Sequence, residues 1–356
     1  MVSKNDDKKM MGQYYTVNAS YILQDLPIDN NTDMIIEPFA GNGDLIEWLC
    51  GRSPFITREN ILQYDVDPKK TDIIRRDTLL NPPRYKNSWV ITNPPYLARN
   101  KSKDKSLYNK YNTNDLYKCF IKSLIEGECL GGIIIIPCGF FISPRPIDVE
   151  CRNEFLTRYI ISRVNYFEED VFPDTSTTVV AFSFKKANEK MNTQQIEWVR
   201  YPKKEVKIFN VEQRYNWIIG GDIYQLPISN RVQIQRLVEN TESHEEDNMI
   251  TNLILTALDS GKMDGRISLK FKKNELYIGK KCSRSYATIC ITGINSLDDK
   301  QQELVATLFN EFIEQKRLET WSLFLPQFRE SKEYARKRIP FRLAYHIIQY
   351  LIEKHL

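Results

Sequence analysis

"DMIIEPFAGNGDLIEWLC", residues 33–50, decides the fold. A short apolar run (Met34, Ile35, Ile36) stops at Glu37 and Pro38. Gly41 and Gly43 follow, and apolar residues then recur at helical spacing through Leu45, Ile46, Trp48 and Leu49. Glycine turns the backbone tightly without a side-chain clash, so the stretch predicts a strand, a turn and a helix. The alternation continues outward. "NILQYDVDP" (60–68) predicts a second strand ending in acids, and "SWVITNPP" (88–95) a third. "LYKCFIKSLIEGE" (116–128) predicts an amphipathic helix, "GGIIIIP" (131–137) a buried strand, and "TTVVAFSFKK" (177–186) a late β-branched strand. Strands alternating with helices predict a parallel α/β sheet. The polar run "KKANEKMNTQQ" (185–195) predicts a domain boundary. Beyond it, short strands ("RISLKF", "ATICITGI") precede long helical patterns ("DDKQQELVATLFNEFIEQ", "FRLAYHIIQYLIEK"), which predicts a smaller α+β domain. The expected division is 1–190 and 191–356.

A chain of 356 residues has room for two cores, and 42% hydrophobic with 27% charged residues is ordinary for a globular protein. "MVSKNDDKKM" at the start lacks the apolar centre of a signal peptide, and "LGGIIIIPCGFFI" (130–142) is too short and broken to span a bilayer. The seven cysteines include no CxxC pair, and none of the three histidines stands at ligand spacing to one. An intracellular, cytoplasmic protein with reduced thiols, no membrane contact and no metal is expected. The net charge of +4 is mild, but its distribution is uneven. Arg99, Lys101, Lys103 and Lys105 cluster after the third strand, and "RESKEYARKRIPFR" (329–342) is basic again. Two such patches suit a polyanion, with a solvated surface as the plainer account.

The glycine turn has the place of a nucleotide-binding loop, and Asp65 at the next strand end has the place of a ribose-binding acid. The third glycine of a dinucleotide fingerprint is missing, and Glu37 before the turn would repel phosphate. An acid there suits a cofactor that carries positive charge, such as S-adenosylmethionine with its ammonium and sulfonium groups. A tight strand-to-helix turn with no ligand is the bland alternative.

The third strand ends in Asn93, Pro94, Pro95 and Tyr96. The prolines lack N–H groups and fix φ, so their carbonyls are aimed without competing donors. Asn93 adds a side-chain acceptor, and two acceptors at one corner can hold both hydrogens of an NH₂ group. Holding them frees the nitrogen lone pair for attack. Tyr96 offers a face to a planar base. A second Asn-Pro-Pro, at Asn81, is read as a turn.

At these residues the sequence resembles the Asn-Pro-Pro-Tyr amino-methyltransferases of DNA. Their motifs stand here as "GQYYT" (12–16), "EPFAGNG", "YDVDP", "RRDTLL", "TNPPY", "GGIIIIPCGFF" and "VFPDTSTTVVAF" (171–182). The order, with the aromatic-Thr motif first and the recognition region last, is similar to the gamma arrangement of N6-adenine enzymes of type II restriction-modification. The resemblance implies a Rossmann-like methyltransferase sheet in 1–190 and a target-recognition domain in 191–356. It implies Tyr15 and Thr16 near the methionine portion of S-adenosylmethionine, Glu37 near its ammonium, Asp65 on the ribose and Asp77 on the adenine. Pro38, Gly41, Gly43, Leu79 and Asn93 complete the implied cofactor site. Asn93 and the Pro94 carbonyl would take the target amine, with Tyr96 and Phe172 sandwiching a flipped adenine. Arg99, Lys101, Lys103 and Lys105 would meet the phosphates of duplex DNA, with or without a cognate restriction endonuclease as partner. The sequence departs from the family at Val17, where a proline is usual.

Rival readings stay open on the sequence. N4-cytosine transfer uses the same geometry, usually with Ser in place of Asn93. The corner also serves RNA and protein-glutamine methyltransferases, although the glutamine enzymes generally place a helical domain first. Cys138 after Pro137 has the place of a cytosine-C5 nucleophile, but that would leave the Asn-Pro-Pro-Tyr corner unexplained. A nucleic-acid-binding module with a defunct cofactor fold would show lost acids or a lost corner, and neither is lost.

Overall fold

Ile133, Ile134, Ile135 and Ile136 are fully buried in the middle of the chain's largest sheet. The computed structural model describes residues 12, 14, 16–29, 33–173, 175, 177–229, 231–239, 249–259, 265–280, 283–294, 296–330 and 335–356. The chain divides into two compact units, Met1–Trp217 and Ile218–Leu356.

In the first unit the strands are β1 (Ile35–Glu37), β2 (Ile61–Asp65), β3 (Ile74–Arg75), β4 (Trp89–Thr92) and β5 (Gly131–Pro137). They are followed by β6 (Tyr159–Phe167), β7 (Val179–Lys186), β8 (Thr193–Tyr201) and β9 (Glu205–Glu212). The helices are α1 (Ala19–Ile22), α2 (Asp44–Arg52), α3 (Ser106–Lys110), α4 (Leu116–Gly127), α5 (Gly139–Ile142) and α6 (Pro146–Leu156). One sheet joins all these strands in the order β3-β2-β1-β4-β5-β7-β6-β8-β9. From β3 to β5 every pairing is parallel. Strands β4 and β5 carry uninterrupted apolar runs because both of their faces are covered. The strand order reverses between β1 and β4, which opens a crevice at their carboxyl ends.

Two expectations need correction here. The sheet is mixed, not parallel, because β7 runs antiparallel between β5 and β6. Among the described residues no helix separates β6 from β7, and so short a connection permits only the antiparallel return. The expected boundary at 190 also falls too early. β8 pairs with β6 and β9 with β8, so the polar run 185–195 is a loop within the sheet and the first unit extends to Trp217.

Helix α4 buries Phe120, Ile121 and Leu124 together with two lysines. Lys118 forms a buried ion pair with Asp148 of α6, whose carboxylate also accepts from Ser143, Arg145 and Asn114. Burial alone would raise the Asp148 carboxyl, but Lys118 and these donors outweigh it and hold it below its ordinary value.

The second unit has a sheet of β10 (Gln233–Arg236), β11 (Met249–Thr256), β12 (Ser268–Phe271) and β13 (Tyr286–Thr292), in the antiparallel order β10-β13-β11-β12. Leu253, Leu255, Leu269 and Ile289 face Phe309 of α7 (Asp299–Thr320) and Ile347 of α8 (Phe341–His355) in its core. Asp298 and Gln301 close a reciprocal capping box at the start of α7. Of the basic run 329–342, residues 331–334 lie outside the described residues and Lys337 is buried. Among the described residues no helix is long and apolar enough to cross a membrane.

Candidate functional site

The crevice beside β1 is built from backbone upward. Gly41 and Gly43 hold φ of 54° and 80°, a region that L side chains rarely adopt, and Gly43 caps α2. Asp65, at the end of β2, clasps the turn. Its Oδ2 accepts from the Gly41 N–H at 2.8 Å and its Oδ1 from the Asp67 N–H at 2.8 Å. Asp77 closes the next turn, with Oδ1 accepting from the Leu79 and Leu80 N–H groups at 3.0 Å each. The Thr78 hydroxyl donates to the Pro38 carbonyl at 2.8 Å and so ties this turn back to β1.

Glu37 is 1% exposed, and neither of its carboxylate oxygens has a hydrogen-bond partner among the described residues. Burial, reinforced by Asp44 and Asp65, pushes its carboxyl well above the ordinary range. A buried acid without a donor is costly, and a cationic group brought to it would relieve that cost.

Residues from the other end of the unit complete the corner. The Asn93 side chain donates through Nδ2 to the Tyr14 carbonyl at 2.8 Å and to Thr16 Oγ1 at 3.1 Å. The Tyr96 N–H donates to the Gly12 carbonyl at 2.9 Å. A Cβ at Gly12 would lie 2.6 Å from the Tyr96 carbonyl oxygen, so glycine is required for this approach. The Tyr96 hydroxyl reaches both Asn93 Oδ1 and the Ile135 carbonyl, the latter at 2.8 Å. On the other side, the Leu97 N–H donates to Asp115 Oδ1 at 3.1 Å, and Leu116 N–H to the Leu97 carbonyl at 3.2 Å. Burial raises the Asp115 carboxyl to about 6.

The resulting cleft has a volume of about 280 Å³. Of the residues expected from the sequence, Gly41, Asp65, Asp77, Leu79 and Asn93 line it. Glu37, Pro38, Gly43 and Thr16 are buried and are not among its lining residues. Pro94 is buried in the corner, and Tyr96 and Phe172 are 8% and 2% exposed. Tyr15 lies outside the described residues. Lys101, Lys103 and Lys105 are exposed, whereas Arg99 is half-buried and donates to Asn109 Oδ1 at 2.7 Å. Cys138 is fully buried. The apolar walls Phe39, Leu97 and Leu107 were missed from the sequence, as were Tyr14 and Asp115. Tyr14 adjoins the quoted aromatic-Thr motif, and Asp115 precedes an amphipathic run as an N-cap does, so both had a local signal.

Residues 86–172 match the Eco57I restriction-modification methylase family. No curated protein matches the chain significantly. Among solved structures, the type IIG restriction endonuclease BpuSI is 11% identical, with 89% of this chain and 46% of that one covered at a TM-score of 0.43. The type I restriction-modification methyltransferase subunit from Streptococcus thermophilus is 13% identical, covering 54% of this chain and 48% of that one at a TM-score of 0.38. The DrdV–DNA complex is 14% identical, covering 71% and 36% at a TM-score of 0.41. The chain spans about half the length of the type I modification subunits it resembles.

Proposed function

We propose that the protein is a site-specific DNA methyltransferase that transfers a methyl group from S-adenosylmethionine to the N6 amine of an adenine turned out of duplex DNA. The observation that carries this reading is the meeting of the Asn93–Tyr96 corner with the Asp65–Asp77 cleft, next to a buried, partnerless Glu37. The family match over 86–172 covers the corner and supports the same chemistry.

Under this reading Glu37 balances the cofactor's ammonium, and Asp65 and Asp77 take its ribose and adenine while holding the two turns shut. Phe39 and Leu79, which line the cleft, would offer apolar walls to the adenine ring. When bound, S-adenosylmethionine supplies a methyl group on a sulfonium, a good leaving group. Asn93 Oδ1 and the Pro94 carbonyl accept the two hydrogens of the target amine and aim its lone pair. The methyl group would pass from sulfur to the amine nitrogen, with the C–S electron pair staying on sulfur and the amine proton leaving to solvent. Tyr96 and Phe172 flank the base, the basic loop from Arg99 to Lys105 meets phosphates, and the second unit reads the target sequence.

The test is transfer of labelled methyl to mixed-sequence duplex DNA, followed by digestion to nucleosides and mass analysis. N6-methyladenine is expected. N4-methylcytosine would change the base and keep the corner's role, while product on RNA or protein alone would overturn the DNA reading.

A further inference from the structure

The slot in which a base would stack is filled by the protein itself. The Tyr14 ring lies 5.5 Å from the Tyr96 ring and 6.5 Å from the Phe172 ring, with planes inclined by only 30° and 35°. Among the described ring contacts Tyr96 and Phe172 do not pair with each other, so Tyr14 bridges them. Resting on the methyltransferase reading above, we propose that Tyr14 is a further substrate-positioning residue: its ring keeps the base slot filled, and a target base enters as that ring turns aside.

Three features support this role. The backbone of Tyr14 is pinned, since its carbonyl accepts from Asn93 Nδ2 at 2.8 Å and Gly12 is bonded to the Tyr96 N–H at 2.9 Å. With the carbonyl held at the corner, a change of side-chain rotamer is the smallest movement that empties the slot. Tyr14 is half-buried and lines the cleft, so its ring is not locked in the core. Finally, the Tyr96 hydroxyl has one proton and two acceptors, Asn93 Oδ1 and the Ile135 carbonyl. An arriving amine takes Asn93 Oδ1, and the hydroxyl keeps Ile135. The resting site thus satisfies itself with its own ring and its own hydroxyl, as the substrate would with a base and an amine.

Displacing the ring reduces the apparent affinity for the base by the fraction of molecules in which the slot is open. The test uses the full chain, labelled S-adenosylmethionine and mixed-sequence duplex DNA, with KM for DNA, kcat and the cofactor dissociation constant measured for each variant. Tyr14→Ala should lower the DNA KM by about fivefold and Tyr14→Trp should raise it, each by more than the cofactor affinity changes, and Tyr14→Phe should return it to the wild-type value. If Tyr14→Ala does not fold, a raised KM in Tyr14→Trp beside a wild-type KM in Tyr14→Phe decides the matter. A DNA KM indifferent to ring size, or one that moves only in step with the cofactor constant, overturns the proposal while leaving the methyltransferase reading intact. A wild-type protein that transfers no methyl to DNA overturns both.

Discussion

The chain contains two Asn-Pro-Pro tripeptides on neighbouring segments, and they lead different lives. At Asn81 the side chain is exposed, and the Asn81 and Pro82 carbonyls accept from the Arg76 guanidinium at 2.8 and 2.9 Å. That corner is a stiff turn with its acceptors already used. At Asn93 the side chain is half-buried and bonded to the segment holding Tyr14 and Thr16, and the following tyrosine reaches across to Ile135. The tripeptide supplies rigidity in both places. What makes one of them a candidate for chemistry is the company it keeps: a cleft, a tyrosine, and a strand of chain from far away in sequence.

Paired substitutions separate the two corners most strongly. Asn93→Ala should reduce methyl transfer by about two to three orders of magnitude, the usual scale for removing a group aimed at the reacting centre. Measured under the same conditions, Asn81→Ala should change it little, and equal losses would mean that the two corners are alike. Next in size is the support behind the active corner. Asp148→Ala leaves Lys118 buried without its partner and should destabilise the first unit by about 3–5 kcal/mol in urea unfolding, loosening the α4 end to which Leu97 is bonded.

Glu37→Gln should weaken cofactor binding by about tenfold, as expected for losing one charge-assisted hydrogen bond, and should flatten a pH dependence. The folded protein holds the Glu37 proton to higher pH than the unfolded chain does. It therefore binds more protons than the unfolded state between the two pKa values, and stability falls as pH rises from about 4.5. The slope is at most about 1.4 kcal/mol per pH unit for one proton. Glu37→Gln should remove that fall in thermal melts without cofactor. The smallest effect belongs to the basic loop. Replacing Lys101, Lys103 and Lys105 by alanine should leave stability nearly unchanged. It should reduce the salt slope of DNA binding by about 0.9 for each phosphate no longer neutralised, readable by anisotropy at several salt concentrations.

Much of the first unit was legible because its signals are local. A glycine turn with positive φ, an acid closing a turn, and prolines that fix a strand end each make a demand that only a few residues can meet. Strand β6 was missed because "YIISRVNYF" carries Arg163 and Asn165 within it. Asn165 is fully buried, yet it donates to the Ile22 and Gln24 carbonyls at 3.1 and 2.8 Å, a partnership across distant sequence. The boundary at 190 failed for a similar reason. A polar run looks the same whether it links domains or joins two strands, and only the pairing of β8 with β6 tells them apart. Asp115 stands where a helix cap stands, and its Oδ1 also accepts from the Leu97 N–H, a bond that spacing within the helix does not announce. At Tyr14 the aromatic identity was visible and the stacking was not, since ring neighbours from residues 96 and 172 are set by the fold.

The bond from the Tyr96 amide to the Gly12 carbonyl has a practical consequence. Pro94 and Pro95 carry no amide hydrogen, so Tyr96 is the first residue after Asn93 whose backbone can exchange with deuterium. Its protection comes from Gly12, so its exchange rate reports how much of the time the N-terminal segment is seated on the corner. That reading needs neither a known target sequence nor a turnover assay, and the same amide would register any ligand that steadies the seat.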